Sequence, residues 1–147
     1  MIHSNPADWA LFDNVKTLLT GGGAIGLFSF SPPVNRDAEL VIFTFTYNCD
    51  ATAADRYFHL YLDAPATEQT LGFTTTPLTA NQICDIAFGQ GLDRAVMPGN
   101  THMTIPIPTR LRIAPNSTLY LDILNNTAGD LFASPVARWN MQIKTNL

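Results

Sequence analysis

Side-chain character alternates residue by residue along most of this chain, and that period of two decides its fold class. Residues 40–47 read LVIFTFTY, 57–63 read YFHLYLD and 119–124 read LYLDIL. Successive side chains of a strand point to opposite faces, so such runs make strands with one buried and one wet face. A helix would instead need apolar residues three and four apart. Polar and proline-bearing stretches interrupt the alternation at short intervals: SPPVNRDAE over 31–39, CDATAADR over 49–56 and NNTAGD over 125–130. About eight to ten strands at this spacing are the mark of an all-β sandwich or barrel. No βαβ rhythm and no internal repeat is present. The expected fold is all-β, an antiparallel two-sheet sandwich with jelly-roll, Greek-key connections. Residues 1–14 form an N-terminal arm in this reading, and 15–147 a single β-sandwich domain.

Individual segments follow from the same pattern. Val15–Leu19 and Ile25–Phe30 read as strands on either side of a glycine run, and 71–76 as a short strand. Residues 79–88, TANQICDIAF, fit a capped helix or, in their second half, a strand. His102–Ile107 reads as an edge strand or the lip of one, because Pro106 and Pro108 cannot donate to a ladder. Val136–Thr145 closes the chain, with Ala137, Trp139, Met141 and Ile143 inward and Arg138, Asn140, Gln142 and Lys144 outward.

At 147 residues the chain fits one domain with an apolar core of its own. Charged residues are only 14% of it, against about 25% in ordinary domains. So sparsely charged an exterior points to a surface partly covered by copies of the same chain, although a Thr/Asn-rich exterior on an isolated β-domain would also fit it. The formal net charge is −4 and the basic residues are scattered, which argues against a nucleic-acid partner. The nearest approach to a basic patch is Arg110 with Arg112. No apolar run approaches the ~20 residues of a membrane helix, and MIHSNPADWALFDN carries no signal-peptide pattern. The expectation is a chain made in the cytoplasm with no membrane partner. Cys49 and Cys84 permit one disulfide, and buried free thiols are the simpler reading.

Candidate chemistry is thin. Gly21-Gly22-Gly23-Ala24-Ile25-Gly26 matches G-x-G-x-x-G, yet LFSFSPP follows it where a pyrophosphate-binding helix would have to start. Glycines serving a turn or bulge explain it better. His3, His59 and His102 lie far apart, with no ligand-spaced neighbour. Asp50 and Asp55 flank a small-residue loop that could hold calcium, without the spacing of a known calcium loop. The reading is no enzyme, no cofactor and no metal; a cupin-like enzyme, which needs clustered histidines, is the remote alternative.

Surface features say more. Trp9, Leu11 and Phe12 give the N-terminal arm three large apolar groups, suited either to lidding the core or to anchoring a neighbouring subunit. Asn5, Pro6 and Asp8 suit the start of a short helix there. Tyr57, His59, Tyr61 and Asp63 share one strand face, while Phe58, Leu60 and Leu62 take the other. An exposed Tyr-His-Tyr stripe suits ordinary cross-strand packing, a subunit interface or a sugar-stacking platform. Trp9, Phe12, Tyr57, His59 and Tyr61 are the interface candidates.

The last third, MTIPIPTRLRIAPNSTLYLDILNN and then SPVARWNMQIKTNL over 103–147, resembles the closing strands of small jelly-roll virion proteins of tailed bacteriophages. The shared pattern is a Pro-Asn turn, an alternating strand, an asparagine turn and a last strand. The resemblance implies a capsid decoration (cement) protein located in the virion: a homo-oligomer, usually a trimer, seated on the major capsid or another virion protein. It carries over no functional residue. A carbohydrate- or receptor-binding β-sandwich module is the alternative.

Overall fold

The computed structural model describes residues 12–33, 37–64 and 67–142. Its strands in chain order are β1 (Phe12–Leu18), β2 (Leu27–Phe30), β3 (Ala38–Asn48), β4 (Tyr57–Ala64), β5 (Thr67–Phe73) and β6 (Ile83–Gly89). β7 (Ala95–Val96), β8 (His102–Pro106), β9 (Arg112–Ile113), β10 (Thr118–Leu124) and β11 (Leu131–Gln142) follow. One sheet runs β1-β11-β3-β6-β8-β7, with β9 paired to β3; the other runs β2-β10-β4-β5. The chain is a two-sheet β-sandwich.

The pairing has a simple logic. β1 pairs with β11, β2 with β10, β3 with β6 and β4 with β5, all antiparallel. Each successive strand from the front of the chain thus meets a strand from progressively nearer the middle. That is one long antiparallel hairpin wrapped so that alternate pairs fall into opposite sheets, which is the jelly-roll arrangement. β7, β8 and β9 are an insertion that extends the first sheet. Within it β8 runs parallel to β6 and is covered on its other side by the two-residue β7. The expected edge strand is therefore paired on both sides, and it tolerates Pro106 because that residue is its last.

Alternation places the core as the sequence implies. Phe43, Phe45 and Tyr47 of β3, Phe58, Leu60 and Leu62 of β4, and Leu119, Leu121 and Ile123 of β10 are all buried. Aromatic rings fill the gap between the sheets: Phe30 of β2 stacks on Phe43 at 4.6 Å and meets Trp139 edge-on at 6.0 Å. Phe132 lies 4.9 Å from Phe28 and 5.2 Å from Phe45. Offset and edge-on pairs of this kind add to simple burial. The Trp139 indole N–H has no acceptor among the described residues.

Four further segments differ from the sequence reading, each for a physical reason. β1 begins at Phe12 and not Val15, because Phe12, Asp13 and Asn14 already pair with β11. β11 begins at Leu131, before Pro135, because Ser134 adopts φ 54° and the register with β3 shifts between Ala133 and Val136. That bulge lets the strand pass through a proline. β5 begins at Thr67 and ends at Phe73, since Thr74 leaves the β5 ladder: its N–H donates to the Phe58 carbonyl and its hydroxyl accepts from the Phe58 N–H. Residues 79–82 make a turn closed by the Gln82 side chain, and only Ile83 onward is strand. The glycine run carries no helix. Gly21 lies so close to Phe132 that a Cβ there would stand 2.8 Å from its ring.

Cys49 and Cys84 are buried and free. Tyr47 sits opposite Cys84 and the Cys49 N–H reaches the Gln82 carbonyl, so the thiols are a register step apart. Burial pushes the Cys49 thiol up to about 11 and that of Cys84 to about 12. Only thiolate reacts with disulfide reagents. Both cysteines are expected to resist such a reagent in the folded protein at pH 8 and to react fully in denaturant; prompt reaction of either in native buffer would contradict this packing.

Candidate functional site

The outer face of the β2-β10-β4-β5 sheet collects most of the residues that the sequence singles out. Tyr57, His59 and Tyr61 all point outward and are half-buried. Register brings Tyr120 of β10 directly opposite Tyr61, Asp122 opposite His59, and Leu124 opposite Tyr57. The Tyr61 and Tyr120 rings stack at 5.2 Å, and His59 lies 5.0 Å from Tyr61. His59 Nε2 is 2.9 Å from the Thr70 hydroxyl on β5. Apolar residues flank this row: Leu27 is 54% exposed, Phe73 48% and Leu124 47%. Tyr57, His59, Thr70, Phe73 and Leu124 line an open groove of about 490 Å³. The Arg94 guanidinium lies over the Phe73 ring at 5.2 Å and donates to the Phe73 carbonyl.

Tyr120, Phe73, Leu124 and Leu27 join the surface without having been singled out. The first and third were legible, since Tyr120, Asp122 and Leu124 are the outward set of LYLDIL. Of the other interface candidates, Trp9 lies outside the described residues. Phe12 opens β1 opposite Gln142, and its side chain also lies outside them.

A second, polar cluster was not anticipated. Arg56 and Asp130 are fully buried. Arg56 Nε donates to Asp130 Oδ2 at 3.0 Å and Nη2 to Asp130 Oδ1 at 2.9 Å, a side-on fork. Nη1 donates to the carbonyls of Thr52 and Ala54, and Nη2 also lies 2.9 Å from Asp50 Oδ1. Asp130 further accepts from the Tyr47 hydroxyl and from the N–H groups of Asp50 and Thr127. Asp50 accepts from the Gly129 N–H and the Thr127 hydroxyl. The β3–β4 and β10–β11 connections are thereby tied together. Burial alone would raise the Asp130 carboxyl, but the Arg56 fork and the N–H donors outweigh it and hold it well below the carboxylate range. Burial, reinforced by the bond to Asp130, pushes the Tyr47 hydroxyl far up.

A signal for this cluster did exist. Arg56 shares the parity of Phe58, Leu60 and Leu62, and Asp130 that of Phe132, so both continue the inward register of the strands they precede. Every polar atom of the fork has a partner within the protein, which marks a structural clamp rather than a reaction centre. The calcium reading of Asp50 and Asp55 fails on the same geometry: Asp50 turns in to Arg56 while Asp55 stays exposed. Among the described residues no group of three or more His, Cys, Asp or Glu gathers around a common point. None of their helices is long and apolar enough to cross a membrane.

His102 meets Asp85 on the outer face of the other sheet, Nε2 to Oδ2 at 3.4 Å, and Thr46 donates to Asp85 Oδ1 at 2.6 Å. The hydroxyl is directed at the carboxylate instead of the imidazole, so the relay of a nucleophilic triad is not formed. Arg112 stands on β9 near Asp37, and Arg110 occupies a turn at φ 57°. No protein-family model, curated protein or solved structure matches this chain.

Removing one partner of a buried pair leaves an uncompensated charge, at a cost of about 3–5 kcal/mol. Asp130→Asn is expected to lose that much in urea denaturation at pH 7. Because the folded pKa of Asp130 is depressed, its contribution is present above about pH 5 and fades as pH falls below about 4. The deficit of the variant should therefore shrink toward pH 2. A deficit independent of pH would assign the loss to shape instead of charge.

Proposed function

We propose that this chain is a non-enzymatic structural protein that acts by burying surface: it self-assembles through the outer face of the β2-β10-β4-β5 sheet and, as an oligomer, decorates a virion shell. The observation that carries the reading is that face itself. Half-buried Tyr57, His59, Tyr61 and Tyr120 adjoin the exposed side chains of Leu27, Phe73 and Leu124. Contiguous apolar area of this kind on a soluble domain marks a contact site, and aromatic groups with polar tips are typical of interface centres. The low charge content agrees with a partly covered exterior. Jelly rolls build many viral capsid components, though also lectins and cupins, so the fold supports the virion role without assigning it. The C-terminal likeness to phage virion proteins points the same way.

A carbohydrate- or receptor-binding role is the second reading, favoured by the groove between Tyr57 and Phe73, whose size lies in the ligand range. Tyr61 is less suited to sugar stacking than its sequence suggests, because its ring already packs on Tyr120 and His59.

Sedimentation equilibrium separates the readings. The wild type is expected to be a closed oligomer at micromolar concentration, and Phe73→Glu with Leu124→Glu should give folded monomers. A wild type that remains monomeric to about millimolar concentration would overturn the assembly reading, and saturable binding on a glycan array would replace it with the second. Co-sedimentation of the oligomer with empty capsid shells from the same source tests the decoration role.

A further inference from the structure

Each wet face of the sandwich holds a pair of like charges set directly opposite each other, acidic on one face and basic on the other, an arrangement unfavourable in the isolated subunit. On the aromatic face, Asp63 of β4 and Glu68 of β5 stand directly opposite each other in the ladder, and both are exposed. Asp122 adds a third carboxylate, and no Lys or Arg occurs on the four strands of that sheet. On the other sheet, Lys16 of β1 and Arg138 of β11 stand directly opposite each other, again exposed. Like charges facing across a ladder destabilise it. Neither pair has an ion-pair partner among the described residues.

Apolar neighbours match as well. The next outward residue of β1 beyond Lys16 is Leu18, 76% exposed, opposite Val136. The acidic pair lies at the β4–β5 margin, next to Tyr61. β2 packs on the β11 and β3 side of the sandwich, and β5 packs on β8. The basic and acidic pairs therefore sit on opposite sheets and at opposite flanks.

Resting on the self-assembly reading, we propose that the occupant of the aromatic face is the β1–β11 flank of a second copy, with Lys16 and Arg138 of one protomer set against Asp63 and Glu68 of its partner. A symmetric contact between two aromatic faces would offer the acidic pair no strand-borne Lys or Arg of its partner, because none occurs on β2, β4, β5 or β10. A contact between different patches is heterologous, and it closes into a ring when the rotation per subunit allows. Each like-charge pair, unfavourable alone, is neutralised on assembly, which also makes assembly sensitive to salt.

Charge reversal tests this on the full-length chain by sedimentation equilibrium, with circular dichroism confirming that each variant is folded. Lys16→Glu with Arg138→Glu is expected to weaken assembly about a hundredfold, and so is Asp63→Lys with Glu68→Lys. The fourfold variant carrying all these changes restores opposite charge across the contact and should assemble about as well as wild type. If wild type assembles and the Lys16/Arg138 variant matches it, the aromatic face has another occupant and this inference is overturned, while self-assembly stands. If both double variants dissociate and the fourfold variant does also, the direct pairing is overturned. A monomeric wild type would remove the self-assembly reading itself.

Discussion

The guanidinium of Arg56 carries its charge to the end of the core, where Asp130 meets it with both carboxylate oxygens and no solvent reaches either side chain. A buried ion pair is worth little against an apolar replacement of the same shape, but once present it must be complete. Completeness dictates the surroundings. Backbone carbonyls of Thr52 and Ala54 take one nitrogen, Asp50 and Thr127 approach another, and the Tyr47 hydroxyl comes from a third strand. Two connections far apart in sequence are thereby closed onto each other. Gly129 follows from the same constraint, since a Cβ there would stand 2.7 Å from the Asp50 carboxylate.

Rings and this clamp fill the interior, where the Trp139 indole N–H lacks an acceptor among the described residues, and further unsatisfied groups lie outside. The aromatic face leaves large side chains half-covered, and both faces hold like charges in register with no ion-pair partner among the described residues. In the assembly proposed above, contact would remove the apolar area from water and neutralise the charge together. The His102, Asp85 and Thr46 cluster is the nearest approach to chemistry, and its hydroxyl donates to the carboxylate.

How much of this was legible from residues alone depended on whether a signal was local. Alternation set the inward and outward faces of β4, and of β11 from Ala137 to Met141, correctly, because parity within a strand is a local property. The Tyr57, His59 and Tyr61 stripe followed from the same parity. Its partners Tyr120 and Phe73 required strand pairing, a long-range fact that no single segment contains. The last strand was read from Val136, whereas β11 starts at Leu131 and a bulge at Ser134 carries it through Pro135. Arg56 and Asp130 sat in inward register but were read with the loops that contain them, since charge ordinarily signals solvent. The parallel pairing of β6 with β8 had no sequence signal at all.

The central claim is that the aromatic face is covered by protein in the working state. Chemical footprinting of tyrosine across a dilution series measures this directly. Tyr57, Tyr61 and Tyr120 are expected to be protected at high concentration and to become reactive together as the protein is diluted, while buried Tyr47 stays unreactive throughout. Equal reactivity of the three surface tyrosines at every concentration would contradict the account.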